Sequence, residues 1–307
     1  MKNRSTTLKL IFAFAAVYII WGSTYLGIRI AIETIPPFLM ASFRFLLAGS
    51  VLYLLARIKS KEKLTFIHWR SGFIIGGLLL LGGNGGVVWA EQYVPSGLTA
   101  LLVSTVPIWI MIINWVIPNG ERIGVKTVLG VVLGFIGLFL LVNPQDLTNG
   151  GSVDLVGAGV LLFATFTWAL GSIYSNRAIL PKSKILTVAI EMIGGGILLF
   201  FFSLITGDAS KFSVELISLR SISALVYLTI FGSIVAFTAY MWLLEAAGAA
   251  KATTYAYVNP IVALILGWLF ADEQITVKIL VAMTIILSAV AIINTNLSSF
   301  KVKNRKG

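Results

Sequence analysis

Two charged residues stand inside long apolar stretches, and they are the first candidates for chemistry. Arg44 lies seven residues past Pro37, and Glu191 lies seven past Lys184. Seven residues of helix rise about 10 Å, which would put each charge well inside a bilayer. There a charge costs at least about 2.5–3.5 kcal/mol on insertion scales. Such a side chain must face a protein interior and find partners. A carboxylate so placed can take up and release a proton, or meet a substrate amine; a guanidinium can meet a substrate carboxylate. The same residues could instead form a structural ion pair, with each other or with other polar groups.

A second set of residues could shape a cavity around them. Pro107 and Asn259-Pro260 fall near the middle of apolar segments. A proline removes a backbone donor and frees a carbonyl, and such breaks often line transporter binding sites. Tyr255 and Tyr257 lead into the second break, and Asn259 adds an amide; together they suit an amphipathic ligand. Trp21 and Tyr25 flank one Gly-Ser pair, and Trp168 and Tyr174 flank another. They could line a cavity, or belong to packing and interfacial belts. Asn84 is a candidate donor in a glycine-rich run, Gly82-Gly83-Asn84-Gly85-Gly86. That run reads as close helix packing with a flexible point. It is no phosphate loop, because no Lys-Ser/Thr follows it. Glu91 reads as a solvated or capping residue at a segment end.

Other chemistries lack their residues. With no cysteine, there is no thiol catalysis, disulfide or Cys-ligated metal. His68 is the single histidine, HExxH is absent, and Gly232-Ser233 has no base to activate it. We expect no enzyme, no cofactor and no metal. The composition agrees: 58% of the 307 residues are hydrophobic and 11% charged, with mean hydropathy +0.96. Soluble domains run at about 45–50% apolar and about 25% charged.

Roughly 20 apolar residues of helix cross a bilayer. On that basis the chain holds ten spans, at 9–32, 37–56, 69–90, 95–116, 126–142, 155–179, 186–206, 222–244, 253–270 and 278–294. Continuous apolar runs exclude a β-barrel. The formal charge of +11 is an orientation signal, not a sign of nucleic acid. With the N-terminus inside, 18 of the 23 Lys and Arg lie on inner segments, and only Lys211, Arg220 and Lys278 on outer ones. The positive-inside rule then puts both termini in the cytoplasm of an inner or plasma membrane protein.

The sequence also repeats. Gly22-Ser23-Thr24-Tyr25 with Arg29 recurs as Gly171-Ser172-Ile173-Tyr174 with Arg177. Trp89, Pro107 and Trp115 recur as Trp242, Pro260 and Trp268 at an offset of 153. Glu121-Arg122-Ile123 recurs as Glu273-Gln274-Ile275 one residue short of that offset. The halves span 1–147 and 154–296, followed by a basic cytoplasmic tail at 297–307. Five spans per half is an odd number, so the second half must enter the membrane from the opposite side. The expected fold is therefore an all-α membrane protein of ten transmembrane helices, built as two inverted five-helix repeats.

Trp21-Gly22-Ser23 with Arg29, Pro36-Pro37 followed by Ala41 to Gly49, and the Pro…Trp…Glu segment closing each half resemble the EamA family of the drug/metabolite transporter superfamily. Ala271-Asp272-Glu273-Gln274 departs from the Gly-Glu usual there. The resemblance covers nearly the whole chain. It implies export of amino acids, drugs or other small metabolites from the cytoplasm and a central cavity between the halves; we expect an exporter working by alternating access, with or without proton coupling. Protons and membrane lipids are the other expected partners, with the chain a monomer or homodimer. The competing expectation is a scaffold or lipid-handling protein that moves no solute.

Overall fold

The computed structural model describes residues 4–116, 125–141, 154–246 and 254–297. All regular structure among them is helical. The first half holds α1 (Arg4–Ala31), α2 (Pro37–Lys59), α3 (Phe66–Ala90), α4 (Ser96–Val103, resuming as Val106–Val116) and α5 (Val125–Leu141). The second holds α6 (Leu155–Ser175), α7 (Lys184–Ile205), α8 (Leu219–Tyr227 continuing through Ala236–Ala246), α9 (Tyr255–Phe270) and α10 (Val277–Leu297). Among the described residues, seven helices are long and apolar enough to cross a membrane; Val128–Leu140, Tyr255–Phe270 and Val277–Ile292 are shorter apolar helices. Large apolar side chains such as Leu54, Phe139, Phe163 and Phe201 are exposed, as lipid-facing helices require. The protein is an integral membrane protein.

Local sequence sets the helix starts. Pro37 opens α2 at the position where its missing N–H costs nothing. Asp154 Oδ1 caps α6 by accepting from the Gly157 N–H at 2.6 Å, and Ser218 caps α8 through the Ser221 N–H at 3.0 Å. His68, the lone histidine, plays a structural part, forming a capping box with Thr65 at the start of α3.

Three helices depart from simple spans. In α4 the helix stops at Val103, the residue whose carbonyl the Pro107 ring would strike. Ser104 and Thr105 fill the gap, and their hydroxyls donate to the Leu101 and Leu102 carbonyls at 2.6 Å each. Pro260 leaves α9 unbroken. It lies in the second turn of the described helix and not at mid-span, because α9 begins at Tyr255. The third helix of each half is wound as a π-helix in its middle, over Gly77–Gly85 in α3 and Leu228–Val235 in α8. Such wide turns are rare and often sit at functional sites.

The core of the bundle is α2 against α7. Ser42 Oγ donates to the Gly196 carbonyl at 2.9 Å, while Gly49 faces Met192 and Ile193. Residue numbers rise on one helix as they fall on the other, so the pair is antiparallel. Two carboxylates clamp its ends reciprocally. Glu62, past the end of α2, accepts the N–H groups of Lys182 (2.9 Å) and Ser183 (3.1 Å) at the start of α7. Asp208, past the end of α7, accepts those of Phe38 (3.0 Å) and Leu39 (3.3 Å) at the start of α2. The backbone donors hold the Glu62 carboxyl below its ordinary range. At Asp208 burial outweighs the Phe38 and Leu39 donors and raises the pKa. Helix α3 packs on both α7 and α6, α1 on α9 and α8, and α5 on α10.

Candidate functional site

Arg44 and Glu191 each lie seven residues into one of the two antiparallel core helices, counted from opposite ends, and they do not join each other. Arg44 is buried at 5% exposure. Its Nε donates to Ser233 Oγ in the π segment of α8 at 2.9 Å. Its guanidinium carbon sits 4.9 Å from the centre of the Phe45 ring, and Nη1 has no partner. Gly232 makes room for this contact: a Cβ there would lie 3.3 Å from Arg44 Nη2 and 3.0 Å from the Thr24 methyl. Glu191 is partly buried beside the tightest contact of α3 and α7, where Gly76 meets the Glu191 carbonyl. Among the described residues no hydrogen bond or ion pair reaches its carboxylate.

The aromatic candidates divide. Trp21 donates from Nε1 to the Gly232 carbonyl at 3.1 Å, which places it next to the Arg44 contact. Its ring lies 4.9 Å from Tyr255, 5.1 Å from Tyr240 and 5.8 Å from Phe237, in a wall shared by α1, α8 and α9. Tyr25, one turn along α1, is close enough to both Glu91 and Tyr255 to interact electrostatically. Tyr257 does not join the wall; its hydroxyl donates to the Val290 carbonyl and ties α9 to α10 at 3.0 Å. Asn259 is 6% exposed. Its amide, oriented as the neighbours demand, donates to the Tyr255 and Tyr18 carbonyls at 3.2 and 3.3 Å. That bond uses a carbonyl in the turn that Pro260 disturbs, and it anchors α9 to α1.

Trp168 and Tyr174 lie elsewhere. Trp168 packs on Gly83 in the π segment of α3, and Asn84 beside it has a buried Oδ1 without a partner. Ser172 and Ile173, next to Tyr174, line a half-open cavity of about 250 Å³ with Ile110, Asn176 and Arg177. Pro107 is partly buried just past the break in α4. The repeat-closing Glu121-Arg122-Ile123 lies outside the described residues.

Glu91 corrects an expectation. It is not solvated but 1% exposed, and neither carboxylate oxygen has a hydrogen-bond partner. The chain turns at once into α4, and Arg29 from α1 folds over the turn, donating from Nη1 to the Glu91 carbonyl at 3.1 Å. Arg29 Nε also lies 3.8 Å from Glu273. The Glu273 carboxylate accepts the Ser96 and Gly97 N–H groups at the start of α4 at 2.6 and 2.9 Å. Glu91 is thus within electrostatic reach of Arg29, Arg44 and Glu273. The departure at Asp272 also has a local reading: its φ is +53°, a left-handed value that glycine adopts without strain and aspartate tolerates.

Sequence reasoning missed Glu91, Ser233, Tyr240 and Glu273 as parts of this centre. The signal for Glu91 was its distance of only four residues before Pro95. The signal for Tyr240 was its place two residues before the repeated Trp242. Among the described residues, no group of acids and histidines is arranged to hold a metal ion.

Known proteins agree with this architecture. The profile of the EamA-like transporter family matches residues 8–143 and again 155–295. The chain belongs to the EamA-like transporter family and is a membrane transporter. It is 36% identical over 296 residues to the uncharacterized inner membrane transporter YedA of Escherichia coli strain K12, covering 95% of this chain and 92% of that one. It is 28% identical to the uncharacterized transporter YoaV of Bacillus subtilis, covering 91% and 94%. It is 25% identical to a probable amino-acid metabolite efflux pump of E. coli, covering 85% and 86%. A solved crystal structure with 19% identity matches 96% of this chain and 99% of its own at a TM-score of 0.61; the likeness is one of fold.

Proposed function

We propose that this chain is a secondary transporter that exports small organic metabolites, amino acids or amphipathic compounds, from the cytoplasm by alternating access with proton coupling. The observation that carries the reading is the Glu191 carboxylate, set inside α7 with no hydrogen-bond or ion-pair partner among the described residues. An ionisable group inside a membrane helix is costly and is retained where a pathway uses it. Glu191 takes up and releases the proton, Arg44 meets substrate, and the Trp21 wall contacts its apolar body.

The halves act as inverted repeats of five spans each, with both termini cytoplasmic in the cell membrane. Two separate family matches support this, as do the paired π segments of α3 and α8 and the reciprocal clamps at Glu62 and Asp208. The name of the E. coli transporter YedA supports an inner-membrane location, and that of the probable amino-acid metabolite efflux pump supports a cargo of that class. The residues assembled here serve binding and movement, not bond-making, so the protein is not an enzyme. The test is the pH profile of flux in Glu191→Gln. The variant should lose proton dependence; an unchanged profile refutes the coupling role.

A further inference from the structure

Glu91 and Arg44 hold unmet bonding capacity on one side of the bundle. Glu91 is 1% exposed with both carboxylate oxygens unpartnered; Arg44 is 5% exposed with Nη1 unpartnered. The two charges interact electrostatically, yet no nitrogen–oxygen pair between them comes within the 4.0 Å of a salt bridge. Each is held back by its own anchors. Ser233 and Phe45 fix the guanidinium, and Arg29 grips the Glu91 backbone and not its carboxylate. Glu273 adds no competing bond, because its oxygens are taken by the Ser96 and Gly97 amides. A buried charge without a partner is strongly unfavourable, so two opposite unpartnered charges in electrostatic reach of each other favour a ligand carrying both signs. Trp21 donates to the carbonyl of Gly232, the residue that faces Arg44 Nη2, so the wall of Trp21, Tyr240 and Tyr255 stands beside the guanidinium; Tyr25 is in electrostatic reach of both Glu91 and Tyr255.

We infer that Arg44 and Glu91 form the head-group site for a zwitterion. The ligand carboxylate bonds Arg44 Nη1, its ammonium bonds Glu91, and its apolar side chain lies on the Trp21, Tyr240 and Tyr255 rings. This deepens the transport reading above and rests on it. It gives the ammonium to Glu91, leaving Glu191 to the proton. A ligand with only one charge leaves the other protein charge buried and unpaired, and so binds weakly.

The test is calorimetric binding to the full chain in nanodiscs, with L-phenylalanine, phenethylamine and 3-phenylpropionate as probes. Phenylalanine should bind at least about tenfold more tightly than either singly charged analogue, the loss expected for one charge-assisted hydrogen bond. Glu91→Gln should erase the preference over 3-phenylpropionate, and Arg44→Gln the preference over phenethylamine. Misfolding would not give that reciprocal pattern. Analogues that match phenylalanine on the unaltered protein overturn the assignment. So does an equal loss for all three probes in both variants, or no binding of phenylalanine or any other standard amino acid. Flux in liposomes separates the two readings. Saturable flux without zwitterion preference leaves transport standing and removes this site; no saturable flux of any solute removes the transport reading.

Discussion

At Gly76 the backbones of α3 and α7 touch, and a single methyl group should force them apart. A Cβ built there would stand 2.5 Å from the Glu191 carbonyl oxygen and 2.5 Å from the Gly195 nitrogen. Ordinary contact begins at 3.4 Å, so the helices must part by roughly 0.9 Å, a gap that forfeits a quarter to a half of each dispersion contact along the seam. Both obstacles are backbone atoms and cannot rotate away. Gly72, Gly194 and Gly195 carry the same seam, and close packing of small residues is what joins membrane helices. Gly76→Ala should therefore cost about 3 kcal/mol, the upper end of the range for overpacking. Gly159→Ala is the control, because a Cβ there meets nothing within 4 Å. The helix-propensity gain, up to about 1 kcal/mol, is common to both, so their difference isolates packing. Reversible unfolding by SDS titration in mixed micelles measures it. Equal midpoints for the two variants would refute a backbone-to-backbone seam.

Two further outcomes follow from carboxylates that clamp helix starts, Glu273 on α4 and Glu62 on α7. Glu273→Gln keeps one acceptor but turns an amide donor toward the second N–H of α4; it should lower stability by about 1.5–3 kcal/mol in the same titration, and an unmoved midpoint contradicts the clamp. Glu62 has a folded pKa below its unfolded one, so its contribution is complete above the unfolded value of about 4.3 and fades as pH falls through the lowered folded value. Glu62→Gln should be less stable than the unaltered protein at neutral pH, with the gap closing below about pH 4; a gap that widens on acidification reverses the sign.

Much of the helical order was readable from apolar runs, because lipid demands continuous helices. Pro37 and Pro95 marked two helix starts for simple steric reasons. The break at Ser104 and Thr105 followed from Pro107, but the intact helix at Pro260 did not, since the same residue type interrupts one helix and is absorbed by the other. The sequence singled out Arg44 and Glu191 by the cost of burying charge. It could not tell that Arg44 turns to Ser233, because that bond crosses 189 residues of chain. Glu91 was hidden because position at a segment end usually means solvent. Its burial comes from tertiary packing that leaves no local pattern, and Arg29 of α1 reaches the same turn across 62 residues of chain. Tyr257 shows the converse: it is close in sequence to the wall residue Tyr255, yet helical rotation carries it to α10.

Flux through the purified protein in liposomes tests the central claim most directly. Vesicles holding amino acids and related amines are compared with protein-free ones, with and without an imposed pH gradient. The account predicts saturable, protein-dependent flux that follows the gradient. Saturable flux indifferent to the gradient contradicts proton coupling, and no flux for any amino acid, drug or other metabolite contradicts transport itself.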